Sequence, residues 1–136
     1  MSDTAHDDYL EDLFLNGQCG AYAIAAARAL SEAGHKNAGI SILIDLNGEP
    51  NTDDDRCVIH AYASCDKFDC DAEGVVDPED MSDRYGLMAY DIDGPFSEDD
   101  FTSFFCHEEA LDVDLSWIDT AADWISRHPD RLEIKD

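Results

Sequence analysis

The sequence predicts an α+β fold in which a cysteine-bearing N-terminal helix packs on an antiparallel sheet, with additional C-terminal helices. The first observation is an Ala-rich segment, residues 18–33, whose apolar side chains recur at helical spacing. The second is the series of short strand-like runs that follow it. The third is a pair of amphipathic segments near the C-terminus. Strands that precede the last helices are typical of an α+β domain, and 136 residues suit a single domain spanning 1–136.

The elements follow in order from local signals. Asn16 and Gly17 form a turn before the first helix, and Gly34 ends it. Strands are predicted at 39–46, 56–65, 68–72 and 86–92. In the second strand, alternation places Val58, His60 and Tyr62 on one face and Cys57, Ile59 and Ala61 on the other.

Turns and caps complete the prediction. A hairpin at 66–67 joins the second and third strands, Gly74 ends the third, and 78–84 forms a helical turn. Ser97 and Asp100 match a capping box for a helix at 97–106. The last helix, 115–127, ends before Pro129 and is expected to turn five side chains inward: Trp117, Ile118, Ala121, Trp124 and Ile125.

The charge excludes two classes of protein. With 33 acidic and 8 basic residues, the formal net charge is −25. An acidic disordered tail is excluded because 44% of the residues are hydrophobic. Direct binding to nucleic acid is not expected, since so few basic residues cannot form a basic face. The excess of Asp over Lys favours adaptation to high salt, with an acidic binding surface as the alternative.

The expected compartment is the cytoplasm. No apolar stretch approaches the roughly 20 residues of a membrane span, and the acidic N-terminus lacks the features of a secretory signal. The five cysteines are therefore expected to be reduced thiols.

Cys19 is the first candidate for chemistry. It opens the Ala-rich helix, where free N–H groups and the helix dipole favour a thiolate. The same N–H groups can receive an oxyanion, and Gln18 or Asn16 is positioned to add a donor. The alternative interpretation is a small buried cysteine at a helix start.

His60 and Asp71 supply the second half of the pattern. If the hairpin at 66–67 closes, Asp71 returns beside His60 on the adjacent strand. A carboxylate there holds the tautomer and orientation of the imidazole, leaving its other nitrogen for Cys19. Asp66 and Asp69 compete with Asp71 for this role.

Three short motifs in residues 13–76 carry a resemblance to a known family: Gly17-Gln18-Cys19-Gly20, His60-Ala61-Tyr62 and Asp71-Ala72-Glu73-Gly74. Together they resemble the papain-like cysteine hydrolase superfamily, in particular its small single-domain members.

The resemblance implies a cysteine-dependent hydrolase or acyltransferase of peptidase, amidase or deamidase type. Cys19, His60 and Asp71 would form the catalytic triad, with Gln18 or Asn16 at the oxyanion. No cofactor and no metal are implied. The substrate would be a carboxamide in a protein or peptide, and a basic one would be attracted to the acidic surface.

Two other interpretations remain. Cys57, His60, Cys65 and Cys70 have a spacing similar to that of a zinc knuckle, although a continuous strand would place Cys57 and His60 on opposite faces. Alternatively, the protein is a non-enzymatic acidic binding protein or inhibitor that mimics nucleic-acid phosphates.

Overall fold

A computed structural model describes residues 19–49, 57–72, 74–105 and 115–127. It has the predicted α+β fold. The helices are α1 (Cys19–Glu32), α2 (Pro78–Arg84), α3 (Glu98–Phe105) and α4 (Ile118–Arg127), the last preceded by a 3₁₀ turn at Leu115–Trp117. The strands are β1 (Gly39–Asp45), β2 (Val58–Ser64), β3 (Asp69–Asp71), β4 (Gly74–Val76) and β5 (Tyr90–Phe96).

The five strands form one antiparallel sheet in the order β4-β3-β2-β1-β5. Helix α1 packs against β2 and β1, and α4 packs on α1. Side chains from α1, α4 and one face of the sheet form what we call the helix-side core. Within it, the rings of Tyr22 and Trp124 meet edge to face, with centroids 5.7 Å apart.

A smaller apolar cluster lies on the other face of the sheet. Leu43 and Tyr62 are buried there with Met81 from α2, and Tyr85 and Ile92 pack against them. Asp77 caps α2 by accepting a hydrogen bond from the backbone N–H of Glu79, and Pro78 occupies the first turn. This cluster anchors α2 beside the strand that carries His60.

The predicted alternation of β2 is wrong at its N-terminal end. Leu43 of β1 pairs with His60 of β2, but the next residue of β1, Ile44, pairs with Val58, so the register shifts by one residue between these two pairs. The extra residue on β2 resets the alternation, as a β-bulge does. Val58 therefore packs in the helix-side core, while Tyr62 packs on the opposite face.

Two strand predictions need correction. The third strand ends before Gly74 as predicted, but the prediction omits β4, which begins at Gly74 (φ +121°) and pairs with β3. The last strand is β5, Tyr90–Phe96, rather than 86–92. Its Asp-rich sequence has low strand propensity. Pairing with β1, from Asp45–Tyr90 to Ile40–Phe96, satisfies its backbone and overrides that preference.

The C-terminal helices agree with the prediction. The Ser97 hydroxyl accepts a hydrogen bond from the backbone N–H of Asp100, which caps α3. Helix α4 buries the predicted Ile118, Ala121, Trp124 and Ile125, while Trp117 is partly buried against the same core.

Among the described residues, no helix combines the length and apolar character needed to cross a membrane.

Candidate active site

Cys19, His60 and Asp71 lie together in the structure. Nε2 of His60 is 3.1 Å from Oδ2 of Asp71, and the His60 side chain is hydrogen-bonded to Cys19. Their exposed fractions are 5%, 0% and 1% for Cys19, His60 and Asp71. The three side chains thus form a continuous chain of contacts in the order Cys-His-Asp. Their catalytic role stays a prediction.

The hairpin between β2 and β3 explains the position of Asp71. Ala63 pairs with Cys70, and Cys70 is buried in the helix-side core. Since successive side chains of a strand point to opposite faces, Asp71 projects to the face that carries His60 and Tyr62. The two-residue turn at 66–67 sets this register, as the sequence predicts.

The short length of β3 lets Cys19 reach β2. The N–H of Cys65 donates to Phe68 O on the β3 side, so the period of two places the N–H of Ala61 on the same edge. Strand β3 pairs with β2 at Ala63 and Ser64, and its pairing ends before Ala61. The Ala61 N–H instead donates a hydrogen bond to the Cys19 sulfur. Cys19 at the start of α1 is thereby held against the edge of the sheet.

The electrostatics favour a charged Cys19–His60 pair. Burial acts to raise the pKa of the Cys19 thiol, but the hydrogen bond and positive charge of His60, with backbone hydrogen bonds from Ala61 and Gly20, lower that pKa below its ordinary value. Burial acts to lower the pKa of His60, but its contacts with Asp71 and Cys19 raise it to about 9. Both shifts favour a thiolate beside an imidazolium over the neutral pair.

Arg84, at the end of α2, stabilises the charge on Asp71. Its Nη1 donates a 2.8 Å hydrogen bond to Oδ2, the oxygen that faces His60. Burial acts to raise the pKa of the Asp71 carboxyl, but the contacts with His60 and Arg84 lower it. Asp71 therefore stays ionised in a buried position.

Arg84 and Tyr85 also contact the candidate site, although neither was predicted from the sequence. The Tyr85 hydroxyl lies 3.1 Å from Nδ1 of His60, and the Arg84 guanidinium stands 5.5 Å from the centre of the Tyr85 ring. In the sequence, Arg84 is simply a cation in the last turn of a short helix. The sequence offers one indication, an Arg-Tyr-Gly run at the end of the predicted turn 78–84. No local pattern indicates which strand this run contacts.

The structure distinguishes Asp71 from Asp66 and Asp69, the two other candidates for the carboxylate that orients His60. Asp69 accepts a 2.7 Å hydrogen bond from the Ser64 hydroxyl, and Asp66 lies in the hairpin turn, where its N–H donates to Lys36 O. Asp71 is the member of the three that contacts His60.

The zinc interpretation gains no support. His60 contacts Asp71, whereas Cys70 lies in the helix-side core. In the described ranges there is no group of three or more His, Cys, Asp and Glu side chains that could hold a metal ion.

Gln18 and Asn16, the predicted oxyanion donors, lie outside the described residues. Helix α1 still places the N–H of Gly20 against the Cys19 sulfur. The predicted start of the first helix at residue 18 agrees with the observed start at Cys19 within one residue.

A groove of about 620 Å³ runs between α1 and α4, with Ala25, Ile118 and Ile125 among its lining residues. Neither Cys19 nor His60 lines it. Cys19, His60 and Asp71 therefore lie apart from this groove, at the junction of α1, β2 and β3.

No family model matches the chain, and comparison with curated proteins and with solved structures gives no match. The resemblance to papain-like hydrolases stays a prediction that rests on the three sequence motifs.

Proposed function

We propose that this protein is a cysteine-dependent acyl-transfer enzyme, a hydrolase or acyltransferase that acts on a carboxamide. The observation that carries the proposal is the Cys19-His60-Asp71 chain of contacts, with the thiol pKa lowered and the imidazole pKa raised. A buried structural cysteine in apolar surroundings has a raised pKa, as Cys70 does. Cys19 differs from Cys70 because it faces a cation and backbone N–H groups.

The proposed reaction proceeds in two stages, formation and resolution of a thioester. The Cys19 thiolate attacks the substrate carbonyl carbon, forming a carbon–sulfur bond and a tetrahedral oxyanion. The His60 imidazolium then gives its Nδ1 proton to the leaving amine, and the carbon–nitrogen bond breaks to leave a thioester. Neutral His60 next accepts a proton from water or an acceptor amine, which attacks the thioester and releases Cys19. Asp71 keeps Nε2 engaged throughout.

We propose a protein or peptide as the substrate and the cytoplasm as the compartment. A net charge of −25 attracts a basic segment and repels an acidic one. Concentrated salt screens this attraction, so charge affects the rate at which the substrate meets the protein more than the rate of the chemical steps.

The test uses p-nitrophenyl acetate, a small activated ester suited to a nucleophile that is 5% exposed. Mixing with the protein at pH 7.5 should release a burst of about one equivalent of p-nitrophenol per chain. Peptide mass spectrometry should then find the acetyl group on Cys19, removable by hydroxylamine as a thioester.

Two variants control the experiment. Cys19→Ala should lose the burst, whereas Cys57→Ala should keep it, because Cys57 has a pKa raised by burial and by nearby Asp45 and Glu49. A burst that survives Cys19→Ala, or acetyl groups spread equally over the cysteines, would contradict the proposal.

A further inference from the structure

The position of Tyr85 is determined by the end of α2. Its backbone N–H donates to Met81 O, and Gly86, with φ +69°, turns the chain immediately afterwards. The ring lies beside the imidazole of His60, with centroids 5.2 Å apart. Its hydroxyl lies 3.1 Å from Nδ1 of His60. Packing and backbone geometry thus bring this hydroxyl to one particular nitrogen.

The proton on that nitrogen has two acceptors. Asp71 occupies Nε2, so Nδ1 is the nitrogen left for exchange with Cys19. The Nδ1 atom lies 3.1 Å from the Tyr85 oxygen, and in the imidazolium form its proton is also the one that remains for the hydrogen bond with Cys19. The phenol stays neutral, because burial raises the pKa of Tyr85 to about 12 despite the hydrogen bond from Arg84. A neutral phenol oxygen accepts this hydrogen bond without taking the proton.

We propose that Tyr85 is a positioning residue of the active site, whose hydroxyl oxygen accepts the Nδ1–H hydrogen bond of His60 and holds the imidazolium in its charged, oriented form. This inference rests on the proposed function. This hydrogen bond matters most in the tetrahedral intermediate, when the Cys19 sulfur is bonded to carbon, no longer carries a negative charge and becomes a poor acceptor. Tyr85 then still holds Nδ1–H in place for transfer to the leaving amine.

The other groups that face His60 come from every element around it. Cys19 approaches from α1 and Asp71 from β3, with Arg84 behind Asp71 at the end of α2. Tyr62, on β2 itself, stacks at a centroid distance of 6.3 Å. Of these, Cys19 and Tyr85 are the groups assigned to Nδ1, so loss of the Tyr85 hydroxyl changes the hydrogen bonding of that nitrogen specifically.

The test is the pH dependence of Cys19 alkylation by iodoacetamide in Tyr85→Phe, followed by peptide mass spectrometry. Without the hydroxyl, the imidazolium is less stable and so is the thiolate beside it. The pH at which the alkylation rate reaches half of its maximum should rise by about one unit. Alkylation of Tyr85→Phe is then about tenfold slower than that of the wild type at any pH below both midpoints. Tyr90→Phe is the matched control, because Tyr90 is partly exposed on β5, and it should leave the midpoint unchanged.

The outcomes separate the two proposals. A wild-type Cys19 that is no more reactive than the other cysteines overturns the proposed function. A reactive wild type with an unchanged midpoint in Tyr85→Phe overturns only this inference. Faster alkylation at an unchanged midpoint does the same, since it means that the Tyr85 hydroxyl merely hinders access of the reagent to the sulfur. If Tyr85→Phe does not fold, 3-fluorotyrosine at position 85 keeps the hydroxyl but weakens it as an acceptor. The midpoint should then rise by a smaller amount, and no rise overturns the inference.

Discussion

Arg84 and Asp71 form an ion pair of 2.8 Å in which the carboxylate is 1% exposed and the guanidinium 23% exposed. The pair joins the end of α2 to the end of β3. It also compensates the charge of a buried carboxylate whose second partner is His60. An ionised carboxylate in this position needs such partners, because burial without them is strongly unfavourable.

Replacement of Arg84 by Gln should therefore destabilise the fold. It leaves Asp71 with His60 as its compensating cation, and we expect a loss of about 1–3 kcal/mol in the free energy of unfolding measured with urea. Arg28→Gln is the matched control: its ion pair with Glu98 is exposed, and the expected loss is at most about 1 kcal/mol. Equal losses for the two variants would contradict the stabilising role of Arg84.

The Cys19–His60 pair should give stability a characteristic pH dependence. His60, with its folded pKa raised to about 9, stabilises fully below its unfolded value of about 6.5, and this contribution is lost as the pH rises through 9. Cys19, with a lowered pKa, stabilises above its unfolded value of about 8.5, and this contribution is lost as the pH falls. The two contributions therefore change with pH in opposite directions and oppose each other where both residues titrate.

Comparison of the wild type with His60→Gln isolates the contribution of the Cys19–His60 pair to the pH dependence of stability. Without the imidazolium, Cys19 is a thiol in the folded state, so its ionisation no longer contributes to the free energy of unfolding. Below about pH 6.5 the His60 contribution is constant, so the advantage of the wild type over His60→Gln should shrink as the pH falls from 6.5 to 5.5 and the Cys19 contribution is lost. The measurement is urea unfolding at these pH values. An advantage that stays constant down to pH 5.5 would mean that Cys19 is neutral in the fold.

Gly94 should not tolerate a side chain. It lies in β5 with φ +117°, and an added Cβ would stand 2.9 Å from Ile40 O and from Ser41 Cα. We expect Gly94→Ala to cost about 2–4 kcal/mol in thermal or urea unfolding, because both backbone strain and contact with β1 oppose it. Gly34→Ala is the control for strain alone, since its added Cβ meets nothing within 4 Å. Its expected cost is about 1–2 kcal/mol.

The acidic surface should make stability depend on salt. At a net charge of −25, self-repulsion opposes the compact state at low ionic strength, and KCl screens it. The thermal midpoint should rise from low salt to molar KCl, by about 4 °C for each kcal/mol gained. Sorbitol at equal osmolality is the control and should produce a smaller rise. A midpoint indifferent to KCl would contradict salt adaptation.

Most helices and the first strands could be predicted because their signals are local. Ala-rich periodicity defines α1, a β-branched run defines β1, and Ser97 marks the start of α3. The displaced strand β5 could not be predicted, since an Asp-rich segment becomes a strand there only because β1 offers it a partner. The bulge in β2 was also invisible, because it depends on the register with β1.

For the candidate site, the sequence by itself determined the candidate residues and their relation across one hairpin. Cys19 opens a helix, and His60 and Asp71 flank a turn whose length sets their register. The tertiary structure alone decided the choice of Asp71 over Asp69 and the approach of Cys19 to the Ala61 N–H. It also decided the presence of Arg84 and Tyr85 around His60. Those relationships join elements distant in the chain, so they depend on how α1 and α2 pack on the sheet rather than on any local pattern.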